Sequence, residues 1–214
     1  MKICEMFYSI QGEGITVGQP AFFIRTAYCN LNCHFCDSKY SWGNGKEFSI
    51  EDIAGQSLPY SHIVITGGEP LLQREDLYRL LHALEGKYIE IETNGTIKPC
   101  QGIIMRTNHF NVSVKLSNSK VPEVERIVPE VIQLYTQLKA FFKFVISTPE
   151  NLKEVQDLIS QYNIPAQRVI LMAEGTSHEE IRGKAQWIIE ECKKNGFMYS
   201  PRLHIDIWGV KRGV

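Results

Sequence analysis

Residues Ala21–Ser38 read AFFIRTAYCNLNCHFCDS. The first seven, Ala21–Ala27, have the apolar, β-branched and aromatic make-up of a buried strand. That strand runs directly into Cys29, Cys33 and Cys36, spaced Cys-x3-Cys-x2-Cys. Three thiolates so close together can hold three irons of a cuboidal cluster, leaving the fourth iron without a protein ligand. An open position is what a catalytic metal site keeps and a structural one closes. The loop is therefore read first as the seat of a [4Fe–4S] cluster. A Cys3His zinc site stays open as the second reading, although His34 is too close to Cys33 to bend back easily and His109 is distant.

Outward from this loop the chain alternates strands and helices. His62–Thr66 reads as a buried strand and leads through Gly67-Gly68-Glu69-Pro70 into a helix over Arg74–Leu84 with a leucine face. Further strands are expected at Tyr88–Glu92, Asn111–Val114, Phe141–Ile146, Arg168–Met172 and, last, His204–Ile207. Helices are expected at Ile50–Gln56 behind the cap Ser49, at Pro129–Leu138, after Thr148-Pro149, and from Ser177 to near Gly196. Repeated strand–helix units imply a parallel sheet, whose chemistry gathers at the carboxyl ends of its strands. A full eight-fold barrel needs roughly 250 residues, so 214 residues in one domain (1–214) predict a reduced, partly open (β/α) barrel.

Composition narrows the function classes. Apolar residues are 43% and charged residues 22%, the mix of a soluble globular protein. A formal net charge of −1 gives no electrostatic support for nucleic acid as a partner. No apolar run approaches the ~20 residues of a membrane span. The opening MKICEMFYSIQGEG, with Glu5 and no long apolar stretch, is not expected to be a secretory leader. A cytoplasmic, reducing location follows as the expectation, in which clustered cysteines mean metal or redox chemistry rather than disulfides.

The cysteine spacing, Phe35 just before the last cysteine and the GGEP strand end together resemble the radical S-adenosylmethionine superfamily. Within it, four stretches resemble the 7-carboxy-7-deazaguanine synthase family: YSIQGEG at Tyr8–Gly14, RTAYCNLNCHFCDS at Arg25–Ser38, TGGEP with ETNGT, and LHIDIWGVKRGV at the end. The resemblance implies contraction of 6-carboxy-5,6,7,8-tetrahydropterin to 7-carboxy-7-deazaguanine with loss of ammonia, for 7-deazapurine (queuosine or archaeosine) biosynthesis. It implies a [4Fe–4S] cluster, S-adenosylmethionine and Mg2+ as cofactors, an external flavodoxin-like electron donor, and a homodimer. Phe35, Gly67, Gly68, Glu69, Ser113-Val114-Lys115 and Leu171-Met172-Ala173-Glu174 would contact or flank S-adenosylmethionine, and Ser38 would be a Mg2+ ligand. Ile10, Gln11, Gly12, Glu13, Arg25, Thr66, Glu92, His204, Arg212 and Val214 would form the pterin site. Arg25 would bind the substrate carboxylate, since a buried guanidinium needs an anion. Gln11 and a glutamate would read the pterin amide edge. Val114 departs from the family's usual proline between Ser and Lys.

Other residues receive plainer readings. Cys4, Cys100 and Cys192 are expected to be ordinary thiols, with Cys192 on an apolar helix face. His62, His82 and His109 are expected at surface or core positions, Trp42 and Trp187 in packing. Trp208 either seals the barrel end or pins the tail over its mouth. A glycyl-radical or ribonucleotide-reductase activase shares the cysteine spacing but gives no reason for QGEG or the WGVKRGV ending. An electron-transfer or zinc-binding module is the non-catalytic alternative.

Overall fold

A computed structural model describes residues 1–43 and 45–214. Its strands are β1 (Lys2–Ile10), β2 (Pro20–Thr26), β3 (Lys46–Glu47), β4 (His62–Gly67), β5 (Tyr88–Thr93), β6 (His109–Val112), β7 (Ala140–Ile146), β8 (Val169–Ala173) and β9 (Met198–Ser200). The helices are α1 (Ile50–Ser57), α2 (Arg74–Ala83), α3 (Gln101–Arg106), α4 (Glu123–Arg126), α5 (Pro129–Thr136), α6 (Pro149–Tyr162), α7 (His178–Asn195) and α8 (Leu203–Trp208). All the described strands join one nine-stranded sheet in the order β3-β1-β2-β4-β5-β6-β7-β8-β9. From β2 to β9 neighbours run parallel, whereas β1 is antiparallel to both β2 and β3. The sheet curls without closing, as the length of the chain predicts.

A loop spans the gap between the two sheet edges. Gln11–Gln19 is pinned at its base by Gln11 N–H to Gln19 O and Gly18 N–H to Gln11 O, both 2.8 Å. Its tip reaches the far edge, where Gly14 N–H donates to Ser200 Oγ at 2.9 Å and Leu203 N–H donates to Gly12 O at 3.0 Å.

Strand alternation sorts the side chains. One face of the sheet packs on the helices, with Ile24, Ile65, Ile91, Phe142 and Leu171 against Leu77, Leu80, Val155 and Ile188. The inner face carries a small apolar cluster of Phe7, Ala21, Phe23 and Val64, and above it the polar residues of the site. Ser177 caps α7 by accepting from Glu180 N–H at 3.2 Å, and Gly196 ends it at φ +70°. The Glu180 carboxylate reaches Thr176 N–H at 2.8 Å instead of completing a capping box on Ser177. No described helix is long and apolar enough to cross a membrane.

The end of the chain differs from expectation. His204–Ile207 is not a strand but lies within α8, where Asp206 N–H donates to Arg202 O and Gly209 N–H to Ile205 O. The alternation His-Ile-Asp-Ile suggested period two, but only Ile205 is buried while Ile207 is 55% exposed. The last strand is the three-residue β9, too short to leave a periodic signal. β6 also begins two residues earlier than expected, at His109.

Candidate active site

A cavity of about 270 Å3 opens at the carboxyl ends of the parallel strands. β2 delivers the cysteine loop to one side of it through Tyr28, a non-glycine residue at φ +73°. The loop is tied down by Tyr28 N–H to Ser41 O (2.9 Å), His34 N–H to Ser119 O (2.8 Å) and Asn30 Nδ2 to Thr96 Oγ1 (2.9 Å). Leu31 and Val121 pack around Cys33 beneath it. Cys29, Cys33 and Cys36 are free thiols and all line the cavity. Burial pushes all three thiols up, against a downward pull from Lys115. They therefore stay protonated until a metal displaces the protons. Three convergent thiols from one anchored loop, facing open space, fit the three-cysteine side of a [4Fe–4S] cluster.

The glycines at the end of β4 are demanded by this loop. A Cβ on Gly68 would strike the Tyr28 carbonyl, and one on Gly67, at φ +140°, would strike Thr26. Gly68 N–H donates to Thr26 O at 3.1 Å and Glu69 N–H to Tyr28 O at 2.7 Å. The close backbone approach is thus made to the cysteine loop itself. Glu69 is fully buried, and its carboxylate accepts from Leu71 N–H (3.1 Å), Thr93 Oγ1 (2.9 Å) and Asn94 N–H (2.7 Å). The side chain therefore clamps β4 to β5 instead of facing the cavity. The side chains of Val114, Leu171 and Ala173 belong to the core cluster on the helix side. Their alternating neighbours Ser113, Lys115, Met172 and Glu174 face the cavity, as do Phe35 and Ser38.

The cavity also carries a polar wall. Arg25 faces the cavity with Phe23, and its Nε donates to Glu5 Oε1 at 2.7 Å, so its anion is supplied by the protein. Tyr40 Oη donates to the same oxygen at 2.8 Å. Thr66 Oγ1 donates to Glu92 Oε2 at 2.8 Å. Gln11 Nε2 donates to Glu90 Oε1 at 2.8 Å and to Glu92 Oε1 at 3.2 Å, so its amide points into the protein and not at a pterin edge. Glu13 sits between two cationic side chains, Lys143 Nζ and Arg202 Nε at 3.1 Å, with His204 Nε2 at 3.9 Å. Burial pushes Glu13 up, but Lys143, Arg202 and His204 outweigh it and hold the carboxyl well below the usual range. Burial lowers Lys143, and Glu13 more than restores it, so the ammonium stays charged.

Arg202 was missed by sequence reading. Its guanidinium donates to Glu13, to Asp37 beside the last cysteine, and to the Gly175 carbonyl after β8. Ser38 Oγ donates to Asp37 Oδ1 at 2.8 Å. Nothing local marks Arg202 in the sequence, because its partners are 189, 165 and 27 positions away. The residues after α8 cross the cavity mouth, with Gly209, Arg212 and Val214 among those lining it. Arg212 stacks on Tyr40 at 3.6 Å. Trp42 also lines the cavity, whereas Trp187 packs on the core and Cys192 is buried there.

The sequence pattern of the Radical SAM superfamily matches residues 23–188. A 7-carboxy-7-deazaguanine synthase from Pyrobaculum aerophilum is 39% identical over 220 residues, covering 100% of this chain and 97% of the relative. The enzyme of that name from Halobacterium salinarum is 34% identical, covering 97% and 90%. Among solved structures, QueE from Escherichia coli superposes with a TM-score of 0.73 at 26% identity, covering 95% of this chain and 94% of that one. Built around a three-thiol loop at the mouth of an open parallel barrel, and similar over its whole length to these relatives, the chain belongs to the radical SAM superfamily and, within it, to the 7-carboxy-7-deazaguanine synthase family.

Proposed function

We propose that the cavity converts 6-carboxy-5,6,7,8-tetrahydropterin to 7-carboxy-7-deazaguanine with loss of ammonia. The observation that carries this reading is that one cavity joins the three thiols to a wall of Arg25, Glu92, Glu13 and Lys143. Cys29, Cys33 and Cys36 would hold the cluster, which when bound supplies the electron that cleaves S-adenosylmethionine to a carbon-centred radical. Gly68, Ser113, Lys115, Met172 and Glu174 would seat the cofactor between the thiols and the wall. Arg25 keeps one guanidinium edge beyond its bond to Glu5, and that edge would meet the substrate carboxylate. Glu92 and Glu13 would accept from the N–H groups of the pterin. Lys143, beside Glu13, would keep that carboxylate ionised through turnover.

Ser38 and Asp37 present two adjacent oxygens at the cavity, which suits Mg2+, a hard cation that takes few protein ligands and keeps several waters. Ser38 would be the protein ligand. Glu13, Asp37 and His204 also lie within 4.8 Å of one another, but Arg202 and Lys143 already balance that cluster. The reading includes an external one-electron donor, a cytoplasmic setting, and a homodimer of single-domain chains.

Anaerobic reconstitution with iron and sulfide, followed by dithionite, S-adenosylmethionine, Mg2+ and carboxytetrahydropterin, tests the reaction. The expected result is a product with the mass of 7-carboxy-7-deazaguanine. Formation of 5′-deoxyadenosine without that product would defeat the substrate assignment.

A further inference from the structure

We propose that Glu90, on the floor of the barrel, is a positioning residue that sets the two substrate-facing carboxylates, Glu92 and Glu13, through the side chain of Gln11. This rests on the reading of Glu92 and Glu13 as substrate-facing.

Glu90 lies two residues before Glu92 on β5, on the same inner face and one pleat deeper. It is fully buried and does not line the cavity, so it cannot touch substrate. A carboxylate there is costly unless it is fully hydrogen-bonded. The barrel meets that requirement: Oε1 accepts from Gln11 Nε2 (2.8 Å) and Asn111 Nδ2 (2.6 Å), Oε2 from Thr16 Oγ1 (2.5 Å), with His62 Nε2 at 3.2 Å and His109 Nε2 at 3.5 Å. Burial pushes Glu90 up, but His62, His109 and Thr16 outweigh it, so the group is held below the usual carboxylate range.

Of these partners only Gln11 reaches the cavity. The orientation of its amide follows from chemistry. Glu13 N–H, which can only donate, lies 3.2 Å from Gln11 Oε1, so Nε2 must face the two carboxylates. Its two N–H groups then serve Glu90 and Glu92, and its carbonyl serves the backbone of Glu13. Every hydrogen-bonding group of Gln11 is thereby spent inside the protein. The shorter of its two donor contacts goes to Glu90, which anchors the amide. Remove that anchor and the amide is free to turn, loosening the donor to Glu92 and the backbone of Glu13 together.

Steady-state turnover of carboxytetrahydropterin is measured in the reconstituted parent, Glu90→Gln, Gln11→Leu, the double variant and Thr16→Val. Glu90→Gln is expected to raise KM for the pterin about tenfold with kcat nearly unchanged, the scale of one charge-assisted hydrogen bond. Uncoupled cleavage of S-adenosylmethionine should be unaffected. In the Gln11→Leu background the same substitution should change KM no further. Thr16→Val, which removes one of the two hydrogen-bond partners of the other oxygen of Glu90, should lower the melting temperature without moving KM. A parent-like KM in Glu90→Gln, an equal effect with and without Gln11, or an equal KM shift in Thr16→Val would each overturn the proposal. Should Glu90→Gln fail to fold, Glu90→Asp keeps the anion and retracts it from Gln11, and the same KM shift is expected. Absence of the deazaguanine product from the parent would instead defeat the reaction reading, which separates the two failures.

Discussion

Two segments meet at the mouth of the cavity, and they are built on opposite principles. The loop after β2 carries its chemistry in its own sequence: three cysteines within eight residues, anchored to neighbouring loops by backbone and asparagine hydrogen bonds. The segment after β9 carries almost none. Its contribution is Arg202, which acts only by gripping Glu13, Asp37 and Gly175 on three other elements, and a tail that lies across the opening. The first segment supplies reactive groups; the second determines where groups from elsewhere stand. Substitutions in the two should therefore fail in different ways.

The largest effect belongs to the first segment. Cys33→Ala removes one of three thiols that no other side chain replaces. The reconstituted protein should lose its brown colour and its iron, and with them all cleavage of S-adenosylmethionine, read by visible absorbance and iron analysis. Retention of a full cluster would end the contrast at its root.

Removing Lys211–Val214 attacks the second segment alone. The fold, the cluster and uncoupled cleavage should survive, because β9 and α8 precede the cut and the thiols lie elsewhere. Deazaguanine formation should fall by at least about tenfold, the scale of losing one well-formed polar contact to substrate. Unchanged product formation would make the tail mere cover.

Arg202→Met sits between these extremes. Breaking a buried ion pair from one side costs about 3 kcal/mol, and here the loss falls on Glu13, 14% exposed, more than on the half-exposed Asp37. Chemical denaturation should show the drop, and cluster content should persist. The same cluster gives a pH signature. Glu13 is an acid whose folded-state pKa lies below its unfolded one, against burial and because of Lys143, Arg202 and His204. Its contribution is complete above the ordinary glutamate value near ~4.3 and is lost as pH falls below that. Cluster-free parent should lose stability below this pH more steeply than Glu13→Gln; equal slopes would show that Glu13 is not the group responsible.

The same contrast explains what was legible in the chain. The open barrel could be read because β4 and β8 are short, nearly continuous apolar runs, β5 and β7 are aromatic and β-branched runs broken only by Glu90, Glu92 and Lys143, and α6 and α7 carry their own caps. The cysteine loop could be read because its ligands are sequence neighbours. Alternation alone, applied to the segments 113–115 and 171–174, would have separated Ser113, Lys115, Met172 and Glu174 from the core residues between them. Glu69 and Gln11 could not be sorted that way: both belong to motifs at a strand end, and only the three-dimensional positions of Asn94 and Glu90 show that their polar atoms are spent inward. β9 leaves no signal and α8 resembles a strand because three residues of strand and six of helix are too few for a period to declare itself.

Ser38 offers the finest test, because it belongs to the first segment but is held by the second. Its hydroxyl donates to Asp37, and Asp37 is held by Arg202. If Ser38 supplies one oxygen to Mg2+, then Ser38→Ala should keep the cluster and uncoupled cleavage. It should raise the Mg2+ concentration for half-maximal product formation by a few-fold only, since the ion takes most of its shell from water and substrate. Ser38→Thr preserves the oxygen and should restore the parent's Mg2+ response. Arg202→Met releases Asp37 and should shift the requirement in the same direction as Ser38→Ala, although Arg202 cannot itself bind a cation. A Mg2+ titration that is identical in the parent and Ser38→Ala would remove Ser38 from the metal. A response in Ser38→Ala but not in Arg202→Met would show that the cysteine loop holds its own carboxylate without help from the far end of the chain.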